Sequence, residues 1–181
     1  MKRAAKENEL QDAAAAADAL FSLGLREAQL IASGLSNSNR SEFASGLCAS
    51  VLQFVWKLRQ KSASHTWPLR KCPADALEKY SGLTQRLGES FLVLPLSQSG
   101  FLLGQLYTAL LPDDVRKNLG AYYTPPALVS RLLDLVTSCG FDWASGRIID
   151  PACGGAAFLA SVAPRLLAHS KEKRPLSILE D

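Results

Sequence analysis

Apolar residues recur at helical spacing through most of the chain. Leu10, Ala13, Ala14, Ala17, Leu20 and Phe21 share one face of a first helix, which the Leu23-Gly24 pair is expected to close. After a polar Ser-Asn loop, Asn39 with Glu42 three positions later reads as a capping box. Phe43, Leu47, Val51, Phe54, Val55 and Leu58 then continue as a long helix. The pattern weakens between Cys72 and Pro95. A short helix is expected near Pro73 to Tyr80, and an apolar Phe91-Leu92-Val93-Leu94 run ends at Pro95. Gly88, Gly100 and Gly104 predict turns or close packing. Leu102, Leu103, Leu106, Tyr107 and Leu110 form another helix that Pro112 ends, and Asp113-Asp114 suits the start of the next turn.

Beyond Gly120 the pattern changes. In the Gly-Ala-Tyr-Tyr-Thr-Pro-Pro segment Thr124 can cap free amides and Pro125 and Pro126 suit a first helical turn. Leu128, Val129, Leu132, Leu133 and Val136 follow at helical spacing, and Gly140 ends the helix. Arg147-Ile148-Ile149, entered from Gly146, has the short β-branched character of a buried strand in a parallel sheet. Asp150 then falls at the strand's carboxyl end, where ligands bind in open α/β sheets, and Cys153-Gly154-Gly155 lets the backbone approach a ligand closely. Phe158, Leu159, Val162 and Leu166 continue as a helix that Pro164 is expected to kink or restart. Leu176-Ser177-Ile178-Leu179 is open to two readings. It is either a second strand followed by a ribose-binding acid, Glu180 or Asp181, or a loop ahead of that strand.

The chemistry of this segment favours a zwitterionic ligand. Free amides at the start of the helix after the glycine turn attract a carboxylate, while Asp150 accepts hydrogen bonds from an ammonium or hydroxyl. A ring of Tyr122 or Tyr123 can lie against a flat or sulfur-bearing group, or can simply pack.

Composition narrows the class without naming it. A chain of 181 residues, 48% hydrophobic and 20% charged, is globular and long enough to bury a core. A net charge of +3 does not by itself announce a nucleic-acid binder. Lys57, Arg59, Lys61, Arg70 and Lys71, interleaved with Trp56 and Trp67, form a basic stretch that either meets phosphates or is a solvated helix end and loop. No apolar run spans a membrane and no signal peptide is visible, so a cytoplasmic protein is expected. Cys48, Cys72, Cys139 and Cys153 have no paired spacing, so neither a metal site nor a disulfide framework is expected. His65 and His169 share no motif with Cys153. Neither Gly-x-Gly-x-x-Gly nor a phosphate-loop Gly-Lys-Ser/Thr occurs.

Two segments together resemble the start of the catalytic domain of adenine-specific DNA methyltransferases of bacterial restriction-modification systems. Gly120 to Pro126 is similar to the family's Tyr-Thr-Pro motif, which touches S-adenosylmethionine. Asp150 to Leu159 is similar to its Asp-Pro-Ala-Cys-Gly-x-Gly-x-Phe-Leu loop, and Leu106-Tyr107-x-x-Leu110-Leu111 resembles its lead-in helix. The likeness covers the stretch from Gly100 to Ala168. It implies that Tyr122, Tyr123, Thr124, Pro125, Asp150, Ala152, Cys153, Gly154, Gly155 and Phe158 frame S-adenosylmethionine.

The chain departs from the family twice. Ala156 stands where the family usually has a second glycine, and its methyl crowds the cofactor or restricts the turn. The catalytic Asn- or Asp-Pro-Pro-aromatic motif is missing, as is a target-recognition region; the one Pro-Pro is Pro125-Pro126. The resemblance therefore implies a mostly α chain with an α/β end. Residues 1–111 form a helical N-terminal domain, and 112–181 begin a truncated Rossmann-like methyltransferase domain that holds the cofactor motifs and no catalytic residue. The parent would methylate the exocyclic amine of adenine in DNA. This chain alone is expected to be inactive and to bind S-adenosylmethionine weakly or not at all. Its partners would be DNA, in the full-length parent, and a chain carrying the remainder of the methyltransferase. The alternative is a non-enzymatic helical binding module or subunit that pairs with such a chain.

Overall fold

The computed structural model describes residues 2–59, 79–118, 123–154 and 156–169, with side chains from Asn8 onward except Leu10. The described residues form α1 (Lys2–Ser33), α2 (Asn37–Arg59), α3 (Ser81–Val93), α4 (Leu96–Leu110), α5 (Asp113–Asn118), α6 (Pro126–Ser138) and α7 (Ala157–His169). None of them is long and apolar enough to cross a membrane. The chain divides into two units, Met1–Pro95 with Gln105–Ala121, and Leu96–Gly104 with Tyr122–Asp181.

In the first unit α3 packs against both α1 and α2. Leu83, Leu87 and Phe91 recur every four residues on its buried face. They meet Ala17, Phe21 and Ala28 of α1 and Phe43, Leu47 and Val51 of α2 in one core. The Phe21 and Phe91 rings lie 5.9 Å apart. α1 does not end at Gly24, as the Leu23-Gly24 pair predicts, but runs on to Ser33. A Cβ at Gly24 would come within 2.7 Å of Leu87 Cδ2. The glycine is thus used for close approach between helices, and that packing outweighs its low helix propensity of about 1 kcal/mol relative to alanine. Gly88 does the same on α3, where a Cβ would overlap the Phe54 ring of α2.

The cap of α2 also differs from the expected Asn39–Glu42 box. Ser36 Oγ accepts the Asn39 amide at 3.4 Å, so the helix starts one turn earlier, at Asn37. Two arginines close helix carboxyl ends. Arg59 donates to the Phe91 carbonyl at 2.9 Å and Arg40 to that of Leu110 at 3.2 Å, in the last turn of each helix, where carbonyls run out of i+4 amides. α4 stops before Pro112, and α5 carries Asp113 and Asp114 in its first turn, both as the sequence predicts. The short helix expected near Pro73 to Tyr80 lies largely outside the described residues.

In the second unit α6 and α7 pack around Val129, Leu133, Trp143 and Val162, with Phe141, Phe158 and Leu166 against them. α6 ends at Gly140, as predicted, with φ +88. The amides of Gly140 and Phe141 turn back to the Thr137 and Val136 carbonyls at 3.0 and 3.3 Å, a Schellman closure. Trp143 Nε1 donates to Thr137 Oγ1 at 2.9 Å, and Arg165 lies 5.5 Å from the Trp143 ring while pairing with Asp134 at 2.6 Å. α7 passes through Pro164 as one helix instead of restarting. Val162 on one side is buried and Leu166 on the other packs on the same cluster, so the side-chain packing holds the helix across the missing amide.

The strand expected at Arg147–Ile149 does not form, and no described residue lies in a strand. Arg147, Ile148 and Ile149 lie in no regular element and are exposed, Ile149 at 87%. A strand exists only by pairing, and no described segment runs beside this one. Leu176 to Leu179, with Glu180 and Asp181, lie outside the described residues. The helical part of the expected fold is present, and the α/β end is not seen.

Candidate functional site

Tyr123, Thr124 and Pro125 lead into α6 outside any regular element, Pro125 with φ -58 and ψ 142. Thr124, half-buried, does not cap the helix. The N-cap is Pro125, whose carbonyl accepts the Leu128 and Val129 amides at 3.0 and 3.1 Å, and no side chain bonds the first turn. Pro126 at the first helical position has no amide to satisfy, so the cap that Thr124 offers is less needed.

The Tyr123 ring is the centre of the site. A Cβ built on Gly104 of α4 would lie 2.7–2.8 Å from its Cγ, Cδ1 and Cδ2, so the ring rests directly on the helix backbone. On its far edge, Cε1 is 3.5 Å from the Cβ position of Gly154 in the glycine loop. One ring therefore links α4 to that loop, and it joins two of the residues that the sequence singles out, Tyr123 and Gly154.

The loop has its own internal bonds. Asp150, half-buried, accepts the Ala152 amide on Oδ1 at 3.2 Å, and the Ala156 amide donates to the Cys153 carbonyl at 2.6 Å. Pro151, Ala152, Cys153 and Gly154 are exposed. Gly154 has φ +48, and Ala156 is the one described residue other than glycine with positive φ, at +59. The left-handed conformation costs an L-residue about 1–2 kcal/mol. This is the physical sense of the departure at Ala156: the backbone there takes the shape that glycine prefers. Phe158 is half-buried against the Val129–Trp143 core. Tyr122 and Gly155 lie outside the described residues.

Other candidates separate from the loop. Cys153 is an exposed thiol before α7, while His169 ends that helix, its Nδ1 2.7 Å from the Arg165 carbonyl oxygen. The helix between them is roughly 18 Å long, and the two lie toward its opposite ends, an arrangement unlike that of a nucleophile and its base. Arg59 of the basic stretch is engaged in closing α3, Lys57 is exposed, and Lys61, Arg70 and Lys71 are outside the described residues. Gly104, which the sequence marks for a turn or close packing, is used for close packing. Nothing in the sequence pairs Gly104 with Tyr123, which lies on a separate element.

No curated protein and no solved structure matches the chain. Residues 98–179, just under half of the chain and including both Tyr123 and the glycine loop, match the family model described as N-6 DNA methylase, which supports an adenine DNA methyltransferase family for this stretch.

Proposed function

We infer that the chain carries the S-adenosylmethionine-binding part of an adenine-specific DNA methyltransferase of restriction-modification type. Residues 1–111 are its helical domain and 112–181 the start of its methyltransferase domain. The observation that carries this reading is the meeting of Tyr123 with Gly154 inside the stretch matched by the N-6 DNA methylase model. The residues suit the cofactor: a flat ring, a half-buried carboxylate and an exposed turn without bulky side chains lie on one short length of chain.

When bound, S-adenosylmethionine supplies an electrophilic methyl group. Asp150 would accept hydrogen bonds from its ammonium or a ribose hydroxyl, since one carboxylate accepts several and the Ala152 amide uses only part of that capacity. The first amides of α7 favour its carboxylate. Tyr122, Thr124, Pro125, Ala152, Cys153, Gly155 and Phe158 complete the proposed frame. The sequence contains no Asn- or Asp-Pro-Pro-aromatic motif to hold a flipped adenine, so methyl transfer to DNA by this chain alone is not expected. A second reading, a non-enzymatic subunit that pairs with a chain carrying the rest of the site, draws on the exposed Leu128, Leu132, Leu135 and Val136 of α6.

Nuclear magnetic resonance titration with S-adenosylmethionine tests the cofactor assignment. The expected affinity is weaker than micromolar, which corresponds to less than about 8 kcal/mol. Shifts should be confined to residues 122–125, the loop from Asp150 and the first turn of α7, and vanish in Asp150→Ala. An unchanged spectrum at millimolar ligand would reject the reading.

A further inference from the structure

We propose that Gly104 is a positioning residue for the glycine loop, acting through the ring of Tyr123; its effect on cofactor binding rests on the reading above, but its effect on the loop does not. Three observations lead there. Gly104 is buried in the middle of α4, where glycine is the poorest residue short of proline for helix stability, so its presence needs a reason. The space that a Cβ would fill is taken by the root of the Tyr123 ring, at 2.7 Å from Cγ and 2.8 Å from both Cδ atoms. The same ring reaches Gly154 at ordinary contact distance, 3.5 Å from its Cβ position.

The arrangement is a stack of helix backbone, ring and loop with no slack on the helix side. Carbon atoms in contact prefer about 3.5–4.0 Å, so a methyl group on Gly104 would displace the ring by about 1 Å. Cγ is the ring atom nearest the backbone, and it cannot swing aside as the tip of a flexible side chain would. The displacement must therefore be taken up by the Tyr123 backbone or passed to the loop. The loop is poorly placed to resist it, because Pro151 to Gly154 are exposed and the bonds from Ala152 to Asp150 and from Ala156 to Cys153 are local ones. Binding sites need their groups held within about 0.5 Å, so a shift of this size changes binding without unfolding the protein.

The test compares the full chain with Gly104→Ala, Tyr123→Ala and the double variant, using amide hydrogen exchange at Ala152 and Ala156 without ligand and the S-adenosylmethionine titration in parallel. Gly104→Ala should speed both exchange rates about tenfold and weaken the cofactor at least threefold. In the Tyr123→Ala background the same substitution should change neither, because the overlap is gone; a merely structural role for Gly104 would persist in both backgrounds. Should Gly104→Ala fail to fold, recovery of folding in the double variant would report the same ring contact, and failure in both would overturn the proposal. Unchanged exchange in a folded Gly104→Ala protein also overturns it. Altered exchange in a chain that binds no S-adenosylmethionine leaves the positioning role intact and rejects the cofactor reading alone.

Discussion

Glycine permits close approach in both units, and in the second it also turns the chain. In the first, Gly24 and Gly88 sit inside helices at ordinary φ, and their missing Cβ atoms let Leu87 and Phe54 close onto the neighbouring helix. In the second, Gly104 does the same under the Tyr123 ring, whereas Gly140 and Gly154 have positive φ and reverse or turn the chain, with open space or only ordinary contact around the absent Cβ. Leucines differ between the units in degree. Leu87 of α3 is fully buried, whereas Leu135 of α6 is 54% exposed, and Leu128, Leu132 and Val136 are exposed beside it. The first unit spends most of its large apolar side chains on a core, with Leu23, Leu30, Leu58 and Val93 left exposed. The second keeps a small core under Trp143 and leaves much of α6 and the Ile148–Ile149 segment in solvent. Stability therefore resides in the first unit, and the candidate site lies in the unit with less to hold it.

The largest expected effect probes that division directly. Leu87→Ala removes a fully buried side chain and should lower unfolding stability by about 3 kcal/mol, while Leu135→Ala should change it by less than about 0.5 kcal/mol. Chemical denaturation of both variants provides the comparison. Equal losses would mean that α6 is as well covered as α3.

A pH series sharpens the contrast through cysteine. Burial pushes the Cys48 thiol up to about 12, while Cys139 and Cys153 are exposed. An unfolded thiol ionises near ~8.5, so both states keep the proton below that pH and the stability is fully present there. Above it the unfolded chain releases a proton that the folded chain retains, and stability falls by about 1.4 kcal/mol per pH unit as pH rises toward the folded value. By pH 10 the loss attributable to Cys48 should be about 2 kcal/mol, measured as the difference in slope between the native chain and Cys48→Ala. Parallel slopes would show that the thiol is not protected by the core.

The smallest effect concerns the glycine loop. Ala156→Gly relieves an L-residue at φ +59, and after the entropy that glycine adds to the unfolded chain it should stabilise the second unit by about 0.5–1 kcal/mol. Slower amide exchange at Ala156 and Ala160 is the expected readout. Faster exchange would mean that the methyl group packs usefully where it stands.

Local rules determined much of the chain before any packing was known. The apolar spacing of Phe43 to Leu58 and of Leu102 to Leu110, the stop before Pro112, the acidic opening of α5 and the Gly140 closure of α6 all depend on residues within a few positions of each other, and each is found where the sequence places it. The two motifs around Tyr123 and Asp150 rest instead on resemblance to a family, as does the departure at Ala156, where the structure adds a backbone of positive φ. Tertiary structure decided what those rules cannot reach. Gly24 reads as a helix end by its own propensity, but Leu87, far along the chain, makes it a packing site. Pro164 reads as a break, but the cluster around Trp143 holds the helix on both sides of it. Arg147–Ile149 reads as a strand, yet a strand needs a neighbour, and composition cannot provide one. The place of Tyr123 between Gly104 and Gly154 is likewise a property of three separate segments meeting, and no periodicity in any one of them records it.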